Sequence, residues 1–306
     1  GDNEFGWRIA AALAGSLCIY LIGRIALRLF AEPIWATLAS VLMFLDGFAL
    51  VMSRTAILDI FLTLFILLSA NAWLKASYWE LGLWLGLAIS TKWNAIYFVF
   101  TLLGYELFIN RNWKRTIRTG LIALLIYPIT WIGWFKSDLG FDRQSSSNPI
   151  ISFLKYQKEI LHFHTGLTQK HTYQANPWGW IFMRRPTSFY YQSPSGCHSN
   201  KCAKEVLALG TPILWWLFSF ALIFLIWQVF KRFEFENIFI LLMIAAGYLP
   251  WFFFQKRTVF TFYAIVFEPF LILALVVLAK YLYELDNRFK YLIAVIVLAI
   301  TINFYY

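Results

Sequence analysis

The chain has 306 residues, of which 60% are hydrophobic and only 14% charged, and its mean hydropathy is +0.64. A soluble domain is roughly 45–50% apolar, so this composition excludes an ordinary water-soluble fold and assigns much of the surface to lipid. The net charge of +10 would suggest a nucleic-acid partner in a soluble protein, but in a membrane chain basic residues first set topology.

A spanning helix needs about 20 largely apolar residues. In chain order the apolar runs cover 6–29, 34–52, 56–74, 81–109, 121–135, 209–230, 238–254, 259–279 and 292–306. The run 81–109 is too long for one helix, and Ser90, Thr91, Lys92 and Asn94 interrupt it. Splitting it near Lys92 predicts about ten passes in an all-α polytopic fold. Residues 1–306 then form a single membrane-embedded domain, with 136–208 as a long loop inside it. No segment reads as a cleaved signal peptide. The chain begins at Gly1 without Met and stops inside an apolar run, so a longer parent sequence is expected.

Placing Arg24 and Arg28 in the cytoplasm fixes every later loop by alternation. Cytoplasmic loops then receive Lys75, the run Arg111, Lys114, Arg115 and Arg118, the pair Lys231 and Arg232, and finally Lys280, Arg288 and Lys290. Short outer loops receive only Arg8, Arg54, Lys92, Lys256 and Arg257. This asymmetry follows the positive-inside rule and puts the long loop outside. That loop holds all four histidines and the aromatic stretch Asn176-Pro177-Trp178-Gly179-Trp180, and it is expected to be compact and packed at the membrane interface.

The five outer basic residues are interfacial anchors if taken singly. As a set on the face with fewest cations they point to an anionic ligand, because a phosphate needs donors from several directions. Three carboxylates sit in the apolar runs, Asp46, Asp59 and Glu268, each expected in the outer half of its helix. Asp59, five residues after Arg54, is either a helix-start group and partner of Arg54 or a carboxylate that orients a sugar or an incoming hydroxyl. His162, His164 and His171 do not complete a zinc set by spacing, so no metal is assigned, and no cofactor motif is present. Cys18 reads as a packing residue. Cys197 and Cys202 share the long loop, and a disulfide between them is expected if that loop is external.

These residues fall into a series that resembles the lipid-phosphate-mannose protein O-mannosyltransferases, actinobacterial branch, of the GT-C class of membrane glycosyltransferases. The series runs Phe5-Gly6-Trp7-Arg8, Asp46-Gly47, Ser53-Arg54-Thr55-Ala56-Ile57-Leu58-Asp59 and Thr91-Lys92-Trp93. It continues with His171-Thr172-Tyr173, Pro177-Trp178-Gly179-Trp180, Arg185-Pro186, Gly210-Thr211-Pro212, Trp215-Trp216, and Arg257 with Phe260 and Tyr263. The resemblance implies transfer of mannose, with inversion, from polyprenyl-phosphate-mannose to Ser or Thr hydroxyls of exported proteins. It implies a GT-C fold in a bacterial plasma membrane, an extracytoplasmic site, and partners comprising the lipid donor, membrane lipids and an exported polypeptide at the Sec translocon. Nucleic acid is not among them.

On this resemblance Arg8, Arg54, Lys92 and Arg257 bind the donor phosphate. Asp46, Trp93, His171, Trp178, Trp180, Arg185 and Tyr263 contact sugar or acceptor, and Asp59 is the candidate catalytic carboxylate. The family's adjacent Asp-Glu pair precedes the Gly6-Trp7-Arg8 region, and Asp2 and Glu4 do not match it, so the principal base is expected upstream of this chain. Two other functions fit less of the series. A GT-C relative acting on a lipid or cell-wall glycan would show the same cations, whereas a transporter or flippase predicts paired repeats around a midplane site.

Overall fold

The computed structural model describes residues 3–193 and 202–305. Cys197 lies outside the described residues, and with it the expected disulfide.

The chain opens with α1 (Glu4–Phe30), whose first turn is capped by Asn3 accepting from the Gly6 amide at 2.8 Å, and which stops at Ala31 in the left-handed region. Pro33 then starts α2 (Pro33–Phe44), consistent with the fit of proline to a first helical position. A short α3 (Gly47–Met52) follows, then α4 (Leu58–Leu74), α5 (Tyr78–Thr91) and α6 (Ile96–Phe108). Next come α7 (Trp113–Thr130) and α8 (Ile132–Lys136). The long loop contains α9 (Pro149–Gly166) and an antiparallel pair, β1 (Thr187–Gln192) with β2 (Lys204–Ala208), bulged between Ser188 and Tyr190. The chain ends with α10 (Pro212–Arg232), α11 (Phe235–Tyr248), α12 (Glu268–Leu285) and α13 (Phe289–Tyr305).

Among the described residues, three stretches are long and apolar enough to cross a bilayer by length and composition alone: Glu4–Phe30, Pro212–Arg232 and Phe235–Phe254, the last being α11 continued by a 3-10 segment. The helices pack in series. α1 lies against α2 and α4, α4 against α5, α5 against α7, α6 against α7 and α11, and α12 against α2, α10 and α11. α12 is the centre of the molecule, buried from Glu268 to Ala279 except at Leu278. A helix apolar and covered on all sides is a core helix, not a lipid-facing one.

In lipid, helices gain little from the hydrophobic effect, so close backbone approach and polar contacts hold them together. The α5–α7 contact shows this. Gly82 and Gly86 are four residues apart, and a Cβ on either would meet the Cβ of Ile122 or Ile126 at 2.6 Å.

The chain does reverse at Lys92. Tyr78 at the start of α5 and Glu106 near the end of α6 both reach Arg115, at 4.4 Å (ring centroid) and 3.1 Å, while Lys92 between them reaches Asp59 at 2.8 Å. α5 and α6 are therefore antiparallel, with Lys92 at the turn, in extended backbone followed by a 3-10 turn, Trp93–Ala95.

Three expected passes differ in detail. The run 34–52 is broken at Leu45 and Asp46, because Asp46 leaves the helix to cap α3. The run 121–135 begins earlier, at Trp113, and breaks at Trp131 just after Pro128, which has no N–H to give the ladder. The run 259–279 is not one helix, since Thr261–Val266 is a 3-10 segment and α12 starts only at Glu268, with Pro269 in its first turn. These breaks all lie toward the end of the molecule that carries Lys92.

Candidate active site

The site is assembled from the starts and ends of helices at that end. Ile57 is extended, so α4 begins with Leu58 and Asp59. Its first turn projects the Asp59 carboxylate, only 5% exposed, toward the α5–α6 turn, where the Lys92 ammonium meets it at 2.8 Å and stays 24% exposed. The same ammonium sits 3.8 Å from the centroid of the Tyr263 ring. Lys92 is thus held from two sides, by a charge and by an aromatic face. The partner of Asp59 is Lys92, not Arg54.

Tyr263 belongs to an aromatic wall. Its ring lies 4.7 Å from Trp251 and 6.1 Å from Trp180. Arg257 projects along that wall, 5.9 Å from the Trp251 ring, and its Nε donates to the His164 carbonyl at 2.6 Å. Partial burial, then the charges of Arg257 and Lys92, hold the His164 imidazole below its ordinary pKa. Lys92, Arg257 and His164 therefore share one electrostatic neighbourhood, although they come from three distant parts of the chain.

The loop is stitched to this segment. Ala175 N donates to Val259 O at 2.9 Å, Thr258 N to Leu167 O at 3.0 Å, and Thr261 Oγ1 to Arg185 O at 2.7 Å. On the other side, Trp93 Nε1 donates to the Tyr127 hydroxyl at 2.9 Å, and that hydroxyl donates to Gln157 Oε1 at 2.5 Å, tying α9 to the turn that carries Lys92. The loop is therefore tied down over these helix ends. Between residues 168–185 and Lys256 it leaves an open cleft of about 860 Å³.

The sequence-predicted residues divide into three groups. Asp59, Lys92, Arg257 and Tyr263 come together, with Trp93 beside them through its bond to Tyr127. Arg8 and Arg54 lie at the same end without touching that group. Arg8 pairs with Glu4 at 3.8 Å and stacks on Trp7, and Arg54 is exposed with no ion pair among the described residues. His171, Trp178 and Arg185 line the cleft.

Two of the residues expected to contact sugar or acceptor are enclosed by the protein. Asp46 is fully buried, and its oxygens accept from Thr211 N at 2.7 Å, Phe48 N at 3.3 Å and Trp215 Nε1 at 3.0 Å. It fastens the α2–α3 break to the start of α10. Gly210 is required there, because a Cβ would overlap the Trp215 indole. Glu268, also fully buried, lies against Asp46. Trp180 is equally enclosed, with its indole N–H on Ala175 O at 3.0 Å, and it supports the loop from beneath.

Trp251, Tyr127, Gln157, Lys170 and Arg184 were not separable in sequence from ordinary interfacial residues. Lys256 was one of the five outer basic residues read as a set for an anion. Among the described residues no group of three or more His, Cys, Asp and Glu side chains converges as a metal site would require.

Two family models match the chain. Residues 1–137 match the dolichyl-phosphate-mannose-protein mannosyltransferase model, and residues 150–306 match the C-terminal four-transmembrane region of protein-O-mannosyltransferase. A polyprenol-phosphate-mannose–protein mannosyltransferase of Mycobacterium tuberculosis is 30% identical over 93% of this chain and 67% of its own length. The proteins of that name from Mycolicibacterium smegmatis and Corynebacterium glutamicum are 28% and 27% identical, over 93% and 90% of this chain and 68% and 66% of theirs. No solved structure matches. With both halves of the chain matched in order, the chain belongs to the dolichyl-phosphate-mannose-protein mannosyltransferase family.

Proposed function

We propose that this protein transfers mannose from polyprenyl-phosphate-mannose to Ser or Thr hydroxyls of exported polypeptides, on the extracytoplasmic face of a bacterial plasma membrane. The observation that carries the reading is the Lys92 ammonium, fixed between Asp59 at 2.8 Å and the Tyr263 ring at 3.8 Å, in the electrostatic neighbourhood of Arg257. An inverting transfer forms a bond from the acceptor oxygen to the anomeric carbon as the bond from that carbon to the phosphate oxygen breaks. Negative charge grows on the departing lipid phosphate, and preorganised cations stabilise it more than they stabilise the intact donor.

In this reading Lys92 and Arg257 supply that stabilisation, with Arg54 and Arg8 as outer cations that meet the donor when it binds. The acceptor proton goes to a carboxylate. Asp59 is committed to Lys92, so its role is to position that ammonium, and the base is a different carboxylate. Tyr263 and Trp93 frame the sugar, and the loop over the helix ends limits water.

Membranes containing the full-length protein, supplied with polyprenyl-phosphate-mannose and with a Thr-containing peptide or a glycolipid acceptor, provide the test. Lys92→Gln and Arg257→Gln are each expected to lower kcat/KM by roughly 100-fold or more, the scale of losing one group that stabilises developing charge. Full activity in both variants would overturn the phosphate role, and transfer to the glycolipid alone would overturn the protein acceptor.

A further inference from the structure

The cleft of about 860 Å³ is lined by Lys170, Arg184, Arg185 and Lys256 and, among the described residues, by no carboxylate. None of the four cations has an ion-pair partner among the described residues, whereas Lys92, Arg115 and Lys75 each have one. Four like charges gathered around one concavity repel one another unless an anion enters. The geometry points to an acidic polypeptide: we infer that this cleft binds the residues flanking the acceptor Ser or Thr and selects for Asp and Glu among them. The inference rests on the proposed function and adds a substrate preference to it.

Three observations favour a peptide over a lipid headgroup. The cations come from two segments, Lys170, Arg184 and Arg185 on the loop and Lys256 between α11 and α12, a spread that suits several carboxylates on an extended chain better than one phosphate. The walls between them carry neutral hydrogen-bonding side chains, Gln174 and Asn176 among them, that can meet a peptide backbone, and Trp178, 67% exposed, offers a stacking face.

The third observation is continuity with the site. Thr261 binds the Arg185 carbonyl and lies only two residues before Tyr263, on whose ring Lys92 rests, while Lys256 is the neighbour of Arg257. An extended peptide advances about 3.3–3.6 Å per residue. A hydroxyl at Lys92 therefore places residues a few positions along the same peptide over the cleft.

The experiment uses full-length protein in membranes with radiolabelled polyprenyl-phosphate-mannose and three peptides that share one Thr and differ only in flanks of Glu, Gln or Lys. The expected order of kcat/KM is Glu, then Gln, then Lys, with the extremes about tenfold apart at low salt, the scale of a few screened ion pairs. That ratio should shrink as ionic strength rises and the Debye length falls. In Lys170→Glu/Arg184→Glu the order should reverse, and because a ratio is read, any measurable turnover suffices. Lys170→Gln/Arg184→Gln, milder for folding, should bring the ratio toward one.

Equal rates for all three peptides at low salt would overturn the inference and leave the proposed function standing. A rate that instead depends on acidic phospholipid in the membranes, and loses that dependence in the variants, would make the cleft a headgroup site and overturn it too. Absence of transfer to any peptide would overturn the proposed function itself.

Discussion

Lys92 and Arg115 show two uses of a cation at opposite ends of one bundle. Lys92 is paired yet still 24% exposed, so its charge remains available to a ligand. Arg115 is 11% exposed, facing Glu106 at 1% and 3.1 Å away, with its guanidinium also over the Tyr78 ring and donating to the Trp73 carbonyl at 3.2 Å. It joins α4, α5, α6 and α7. Removing one member of a buried pair strands the other, at a cost of about 3–5 kcal/mol. Arg115→Met is therefore expected to lower the unfolding midpoint in detergent by several degrees, and adding Glu106→Gln should restore part of it. A double variant no better than the single one would contradict the pairing. The charged residues themselves were legible at this scale, but their partners were not, because Asp59 and Lys92 are 33 positions apart and nothing local connects them.

Among the elements, α9 depends most on the site. Its inner face packs Phe153 and Tyr156 on Trp131, at 5.5 and 5.7 Å, and its last turn offers the His164 carbonyl to Arg257. Ile150, Leu154 and Leu161 remain exposed on another face, as in a helix resting at a bilayer surface. Docked α9 keeps His164 neutral below its ordinary pKa, through partial burial first and the charges of Arg257 and Lys92 second. The undocked or unfolded state binds the proton more readily as pH falls through about 6.5. The docked state is thus fully stabilised above that value and loses stability below it. Hydrogen exchange of α9 amides, corrected for intrinsic rate, is expected to accelerate between about pH 7 and pH 5.5. His164→Gln should remove that pH dependence while keeping the carbonyl bond to Arg257. An unchanged profile in the variant would assign the effect to another group.

The helices were legible as apolar runs, and the split at Lys92 followed from length and charge. Gly82 and Gly86 carried a signal for the α5–α7 contact in their four-residue spacing. The break after Pro128 carried a signal in the proline itself, whereas those at Asp46 and Glu268 were not legible as breaks. Apolar content looks the same in an α-helix and in a 3-10 turn, and at the first of them Asp46 is held by Phe48 and by distant Thr211.

Among the described residues, ion pairs gather at the end that carries Arg28, Lys75, Arg115 and Arg288, while Arg257 and the cations of the cleft have none. With the native cysteines replaced by serine, an impermeant maleimide is expected to label Ser145→Cys in intact cells and Lys114→Cys only after lysis. The opposite pattern would reverse the orientation.

The sequence by itself determined that this is a multi-pass membrane protein, which end holds the excess of basic residues, and, through an ordered series of short motifs, the family. Hydropathy and charge are sums over neighbouring residues, and such sums survive without knowledge of contacts. Only the tertiary structure decided which polar residues stay at an open edge and which are fastened to the protein. Asp46 and Asp59 are alike in sequence, each a carboxylate in an apolar run. One is closed off by three donors from the protein itself, and the other holds Lys92 at an open edge, because burial and partner choice depend on helices that meet only after folding.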